Sequence, residues 1–352
     1  MGSSARRRGR RAVVFAAALW CAATASAKDT LVFVDGSTRV VDGIVEANTK
    51  QVRVRGGDRV DPRGLLWIEH GDAPAAFAAG EAALRAGQFR SAVQQYEAAL
   101  AAGGPDWVPS WSTVRIGEAL SRAAAAGDRT AAERAITTLE RFLADNPDHV
   151  LEPRALRALG QAQLAADRAS DAEATFQRLA DRKYGEYWEM WGKLGLGRAL
   201  LAQGKYTDAL QQLEPVIQFA KTRKGFGEIL GAAQAAKGEA FVAKGDYDEA
   251  IRFYEELARS GKGTSAQSAA GAFVNLGKAY EKRGRGDDRR RALMVYRRVA
   301  IYYAGAPGAY AEALLRAGKL LEAEGRKDEA AAFYRELKAR CPESPQASQV
   351  GG

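Results

Sequence analysis

"KGEAFVAKGDYDEAIRFYEEL" runs from Lys237 to Leu257. Two runs with helical apolar periodicity flank Gly245, a residue suited to ending one helix before the next begins. Small residues stand at Gly238 and Ala250, and aromatic ones at Phe241, Tyr247 and Tyr254. This is either one helical hairpin inside a globular domain or one unit of an array. Recurrence of the frame elsewhere in the chain decides which.

The frame recurs. With Gly238 as the eighth residue of a unit, Phe241 is eleventh, Gly245 fifteenth, Tyr247 seventeenth, Ala250 twentieth and Tyr254 twenty-fourth. Gly80, Gly87, Phe89, Ala92 and Tyr96 take the same roles, as do Gly197, Gly204, Tyr206, Ala209 and Leu213. Gly318, Gly325, Ala330 and Tyr334 form another set, with Pro342 where the unit should end. Gly160, Ala172 and Phe176 fit with Asp167 in place of the turn glycine. Units around Gly117 and Gly277 need extra residues in the turn. The eighth positions are then Gly80, Gly117, Gly160, Gly197, Gly238, Gly277 and Gly318, spaced 37, 43, 37, 41, 39 and 41 residues apart. Self-similarity at such a period is the signature of a stacked repeat architecture.

These residues resemble the tetratricopeptide repeat family over residues 73 to 345. The spacing exceeds that family's usual unit, so the connecting loops are expected to be longer. The resemblance implies a mainly α fold, a right-handed α-solenoid of about seven TPR-like hairpins with a concave inner face. One hairpin cannot bury its apolar face alone, whereas stacked neighbours can. A glycine in a helix interior costs about 1 kcal/mol against alanine. Close approach of the two helices of each hairpin is the expected compensation, with the small twentieth residue opposite the glycine. Aromatics at positions 11, 17 and 24 are expected to fill the space between hairpins. The last helix, Asp328 to Arg340, is rich in Lys, Arg and Glu, as a solvated terminal cap should be.

Both ends of the chain fall outside the array. Residues 1–27 read as a signal peptide. Five arginines between Arg6 and Arg11 precede an apolar run from Ala12 to Ala23, and Ala25-Ser26-Ala27 is a small-x-small cleavage site. Cleavage after Ala27 is expected, with Ala25 and Ala27 as the recognised residues. The general secretory route is the expected one, although Arg10-Arg11 weakly resembles a twin-arginine signal. The expected location is the periplasm or cell envelope. The chain carries 52 Lys and Arg against 43 Asp and Glu, a formal charge of +9. The five signal arginines account for much of that excess, so the basic balance is a targeting feature and not a nucleic-acid footprint. Cysteine usage is as plain: only Cys341 lies beyond the signal, either as a small packing residue or as a site for an intermolecular bridge. Residues 346–352 read as a disordered tail.

Residues 28–72 have a different pattern. "TLVFV" (Thr30 to Val34), "RVVDGIVEA" (Arg39 to Ala47, bulged at Gly43), "QVRVR" (Gln51 to Arg55) and "LLWIEH" (Leu65 to His70) read as strands separated by Asp-Gly, Asn-Thr and Gly-Gly turns. The segment resembles the small all-β Sm-like or SH3-like modules of exported bacterial proteins. It is either a cap over the exposed end of the array or a separate binding surface.

Residues that carry chemistry are sparse. His70 and His149 lie far apart in sequence and neither pairs with a cysteine, so no metal site or cofactor is expected. His149 follows "NPD" in a loop between units and is expected to be exposed. Ser110 and Ser112 lack a nucleophile-elbow context, and "GFGEILG" (Gly225 to Gly231) follows no strand. Enzymatic activity is not expected. Members of the resembled family bind peptides or protein segments in the concave groove, through positions 2, 5, 9 and 12 of the first helices. Carried onto this sequence, the resemblance implies Phe77, Glu81, Trp111, Arg157, Gln161, Trp191, Leu194, Arg198, Glu239 and Lys278 as partner-binding residues. Position 5 is Phe77, Val114, Arg157, Leu194, Ala235, Val274 and Leu315 across the units, so the lysine of the family's carboxylate clamp is missing. The aromatic stretch "YGEYWEMW" (Tyr184 to Trp191) either packs against the preceding hairpin or offers exposed anchors. The basic run from Lys282 to Arg291 is either a solvated loop or a dock for an acidic partner, envelope polysaccharide or anionic lipid.

The expected function is a non-catalytic scaffold or adaptor of the periplasm or cell envelope. It binds proteins or peptides and no nucleic acid. The alternative is a structural envelope component that contacts peptidoglycan or a membrane surface through the β-module and the basic loop.

Overall fold

A computed structural model of the protein describes residues 28–260, 266–342 and 344–351. The segment read as an export signal, with Ala25 and Ala27, lies outside these residues.

Seven helical hairpins follow one another along the chain. They are α1 (Ala75–Arg85) with α2 (Phe89–Ala102), α3 (Val108–Ala125) with α4 (Arg129–Asp145), α5 (Glu152–Ala165) with α6 (Ala169–Leu179), and α7 (Glu186–Ala202) with α8 (Tyr206–Lys221). Then come α9 (Gly227–Lys244) with α10 (Tyr247–Ser260), α11 (Ala266–Arg283) with α12 (Asp288–Tyr302), and α13 (Pro307–Ala323) with α14 (Lys327–Arg340). The array is an α-solenoid. No helix among the described residues is long and apolar enough to cross a membrane.

The repeated glycine has a different partner from the one expected. A Cβ built on Gly80 would lie 2.6 Å from the ring of Tyr96, and one on Gly197 would lie 2.7 Å from Leu213. Gly238 faces Tyr254 and Gly277 faces Tyr296 in the same way. The glycine therefore makes room for the twenty-fourth residue of its own hairpin, while the twentieth, such as Ala92 or Ala250, is fully buried beside it. The large side chain points into its own hairpin because the first helix offers a groove there instead of a methyl group. At the turn, Gly245 adopts a φ of 88°, which glycine enters without steric cost. Asp167 holds the equivalent place at a φ of 60°, a conformation Asp tolerates better than most residues.

The β-module holds six strands: β1 (Asp29–Phe33), β2 (Thr38–Val41), β3 (Ile44–Ala47), β4 (Val52–Val54), β5 (Arg59–Val60) and β6 (Leu65–Glu69). They form two antiparallel sheets, β2-β1-β6 and β3-β4-β5. The strand expected from Arg39 to Ala47 is broken at Gly43, whose φ of 137° turns the chain from one sheet to the other. A carboxylate oxygen of Asp29 accepts the Ile44 N–H at 2.9 Å and ties the sheets together.

The module does not cap the end of the array. It lies along the loops that join successive hairpins. Thr49 N–H donates to the Asp148 carbonyl at 2.8 Å, and Asn48 bridges to His149. Gly185 sits against the Arg63 carbonyl and Gly225 against that of Val34, so closely that neither site has space for a Cβ. Leu31, Val52 and Ile68 share one apolar core with helices α1 to α9.

The carboxyl end also departs from expectation. Residues 346–351, read as a disordered tail, fold back over α13 and α14. Ala347 is buried in a small core with Tyr310, Leu314 and Leu337. Gln346 donates to Glu312 at 3.1 Å and Lys319 to Gln349 at 3.1 Å. Cys341 packs at the edge of this core, which makes it a packing residue here.

Candidate functional site

The first helices of the hairpins carry a series of charges that pair from one unit to the next. Arg115 on α3 bonds Glu81 on α1 at 2.6 Å. Arg154 on α5 reaches Glu118 on α3 at 2.9 Å. Arg157 on α5 reaches Glu228 on α9 at 2.7 Å, passing over α7. Lys278 on α11 bonds Glu312 on α13 at 3.2 Å. A pair that spans α7 requires the first helices to curl toward one another, so this surface is the concave one.

Between α3, α5, α7 and α9 the curl encloses a cavity of about 560 Å³. Arg122, Arg157, Arg198, Glu118, Glu228 and Gln161 line it. The environment sets the charge states. Burial opposes ionisation of Glu118, but Arg154 and Arg115 overcome it and hold the carboxyl at about 2. Burial lowers the pKa of Arg198, partly offset by Glu239. Its guanidinium remains charged, as arginine does at any physiological pH. Among the described residues Arg198 makes no hydrogen bond or close ion pair, so its donors are available to a ligand that brings a carboxylate or carbonyl oxygens.

Of the ten residues assigned to the groove from the sequence, three meet in this cavity: Arg157, Gln161 and Arg198. Glu81 lies farther along the same surface and also accepts the Tyr96 hydroxyl at 2.7 Å. Lys278 and Glu239 lie toward the other end, Lys278 in an ion pair and Glu239 exposed. The four apolar assignments are corrected. Phe77, Trp111, Trp191 and Leu194 are at most 5% exposed. They belong to the core that the helices share with the β-module. Trp191 has a supporting role: the Arg157 guanidinium rests 3.4 Å from its ring centroid, a cation–π contact that fixes the arginine. Helical spacing from Glu118 would have pointed to Arg122. Glu228 had no such signal, since it enters from the start of another helix.

The β-module borders this surface. Trp67 on β6 lies between the guanidiniums of Arg115 and Arg154, at 4.0 and 4.6 Å. Arg154 also donates to the Leu66 carbonyl at 3.3 Å, which links the sheet to Glu118 at the rim of the cavity.

Both histidines converge on Trp111, against expectation. The ring of His70 lies 4.9 Å and that of His149 5.4 Å from the Trp111 ring. His149 is partly buried and its Nδ1 accepts the Leu151 N–H at 3.1 Å. Pairing of β1 with β6 also sets Asp29 beside His70, and with Asp72 it brings three possible ligand atoms within 4.8 Å, a cluster hidden by their separation in sequence. Both oxygens of Asp29 already accept N–H groups, from Gly71 and Ile44, and Asp72 accepts the Trp107 indole N–H. These bonds make the cluster a clasp between the module and α3.

The family model for a tetratricopeptide repeat-like domain matches residues 115–278, and one for the tetratricopeptide repeat matches residues 312–344. Among solved structures, a tetratricopeptide repeat protein from Parabacteroides merdae ATCC 43184 is 14% identical. The match covers 76% of this chain and 92% of that one, with a TM-score of 0.51. NprR in complex with its cognate peptide NprX is 13% identical over 78% of this chain and 80% of that one, with a TM-score of 0.47. At these identities the likeness is one of fold. No curated protein sequence matches this chain.

Proposed function

Because this chain is a tetratricopeptide-repeat protein, we propose that it is a non-catalytic scaffold or adaptor that holds a protein or peptide segment in its concave groove. The observation that carries this reading is the cavity bounded by α3, α5, α7 and α9, with Arg198 unpaired among the described residues and directed at it. A guanidinium in that position favours a segment that presents a carboxylate or a run of backbone carbonyls. The groove's charges suit recognition better than proton transfer, since a Glu118 held at about 2 stays ionised near neutrality. The signal-like residues 1–27 support export, and with export the proposed partner is one of the periplasm or cell envelope.

The test is a cross-linked pull-down from envelope extract, using protein without residues 1–27 beside an Arg157→Ala/Gln161→Ala/Arg198→Ala variant of matched helicity. Trp111 and Trp191 are left intact because they are core residues. Capture of one protein by the parent and its loss from the variant is the expected result. Equal capture by both overturns the concave-face assignment.

A further inference from the structure

The second helix of the sixth hairpin, α12, presents a face that the fold does not use. Its inner side is core: Ala292, Leu293, Tyr296 and Val299 are all buried. On its outer side, Met294, Ile301 and Tyr302 are 61%, 69% and 73% exposed. They are half of the large apolar side chains that stand exposed among the described residues, and all three lie on this helix. Arg291, Met294, Arg298 and Ile301 follow at intervals of three, four and three residues, so they share one stripe of the helix surface.

The charge around that stripe is predominantly positive, although Asp248, Glu255 and Glu329 on neighbouring helices pair with Arg283, Arg259 and Arg297. Residues 282–298 hold eight Lys and Arg against two Asp. Asp288 is buried and bound to Arg283, which leaves Asp287 as the exposed acid of the segment. Arg289 and Arg290 are exposed and make no hydrogen bond or ion pair among the described residues. Beside the stripe runs a groove of about 560 Å³ between α10, α11 and α12. Phe273, Leu276 and Tyr280 form its floor, with Arg291, Arg298 and an Arg259–Glu255 pair at its rim. The Arg298 guanidinium lies 4.6 Å from the Phe273 ring centroid, which holds it at the groove.

The geometry points to α12 as a peripheral docking surface for an anionic phospholipid membrane. Three apolar side chains amid arginines match the interface between acyl chains and phosphate head groups. Clustered arginines are drawn to the negative potential of such a surface. An acidic protein would satisfy the arginines but has less use for apolar side chains exposed this fully. The exposed stripe lies on α12, a second helix, whereas the concave cavity is lined by the first helices α3, α5, α7 and α9. The inference is therefore independent of the proposed adaptor role, and it leaves the groove open when the protein is docked.

Vesicle flotation tests it, with phosphatidylcholine vesicles and vesicles that also contain phosphatidylglycerol. The parent protein without residues 1–27 should partition onto the anionic vesicles alone, and added salt should release it. Arg289→Glu/Arg290→Glu should weaken partition by at least about fivefold per arginine replaced. Met294→Ser/Ile301→Ser should weaken it on the same vesicles without altering the charge. All four positions are exposed, so helicity should be unchanged in both variants. Absence of parent binding to phosphatidylglycerol vesicles, or equal binding by the variants, overturns the inference. So does retention of polyglutamate without vesicle binding, which assigns the face to an acidic protein. Concentration-dependent dimerisation that is lost in Met294→Ser/Ile301→Ser assigns it instead to a second copy of the chain.

Discussion

Gly277 and Gly271 both lie inside α11, yet their surroundings give alanine opposite effects. A Cβ on Gly277 would overlap the ring of Tyr296, which is fully buried and hydrogen-bonded to Glu281, and therefore has no room to withdraw. Nothing lies within 4 Å of a Cβ on Gly271. Overpacking a filled site costs about 1–3 kcal/mol, against a gain of up to about 1 kcal/mol in helix propensity. Gly277→Ala should therefore lower the unfolding free energy, while Gly271→Ala should raise it by about 0.5–1 kcal/mol. Urea denaturation of both variants decides this, and a Gly277→Ala protein as stable as the parent would remove the packing explanation. The sequence frame located Gly277 and its equivalents but set the wrong residue against them. The twentieth and twenty-fourth residues lie one helical turn apart, and the side that faces the glycine depends on how the second helix is rotated.

At the scale of elements, the β-module is attached through loops, and His149 is the loop residue most exposed to a change in pH. Burial lowers its pKa to about 4, while its Nδ1 accepts an N–H bond that a protonated ring would lose. Burial lowers His70 as well, despite Asp29 and Asp72. An unfolded histidine titrates near 6.5. As pH falls below that value, the unfolded chain takes up protons before the folded one does. For His149 the stability from the neutral ring is thus complete above about pH 6.5, declines toward pH 4 and levels off below it, a loss of about 3 kcal/mol. The carboxyl of Glu118, held at about 2, titrates below that window. Melting curves should show Tm falling from pH 7 to pH 4.5, and His149→Asn, which keeps an acceptor, should flatten the slope. An unchanged slope would assign the pH dependence elsewhere. The strands were legible in their β-branched runs and turns. Their docking site was not, because its contacts join residues such as Lys50 and Asp148, 98 positions apart.

Across the whole molecule the apolar core is divided. One core runs from Leu31 in the β-module to Ala236 in α9. A second begins at Ala250 in α10 and reaches Ala330 in α14. In a stacked array each unit is held by its neighbours, so a weak interface separates regions that open independently. The amino-terminal region also has the β-module packed along its loops. Native-state hydrogen exchange should find the amides of α11 to α14 exchanging through a partial opening, at a lower free energy than those of α3 to α8. A single opening free energy for both regions would show that the two cores act as one.

The sequence by itself determined the number of hairpins, their frame and the glycines that let each pair close. Those features follow from side chains within about 20 residues of one another, where helical periodicity is enough to assign a face. It also placed Arg157, Gln161 and Arg198 on the first-helix surface. The tertiary structure alone decided that these three enclose a cavity with Glu228, that Trp111 and Trp191 belong to the core, and that residues 346–351 return to α13. Each of those outcomes depends on the curl of successive hairpins and on where the β-module docks. Both are set by the sum of packing between distant units, which no local spacing encodes.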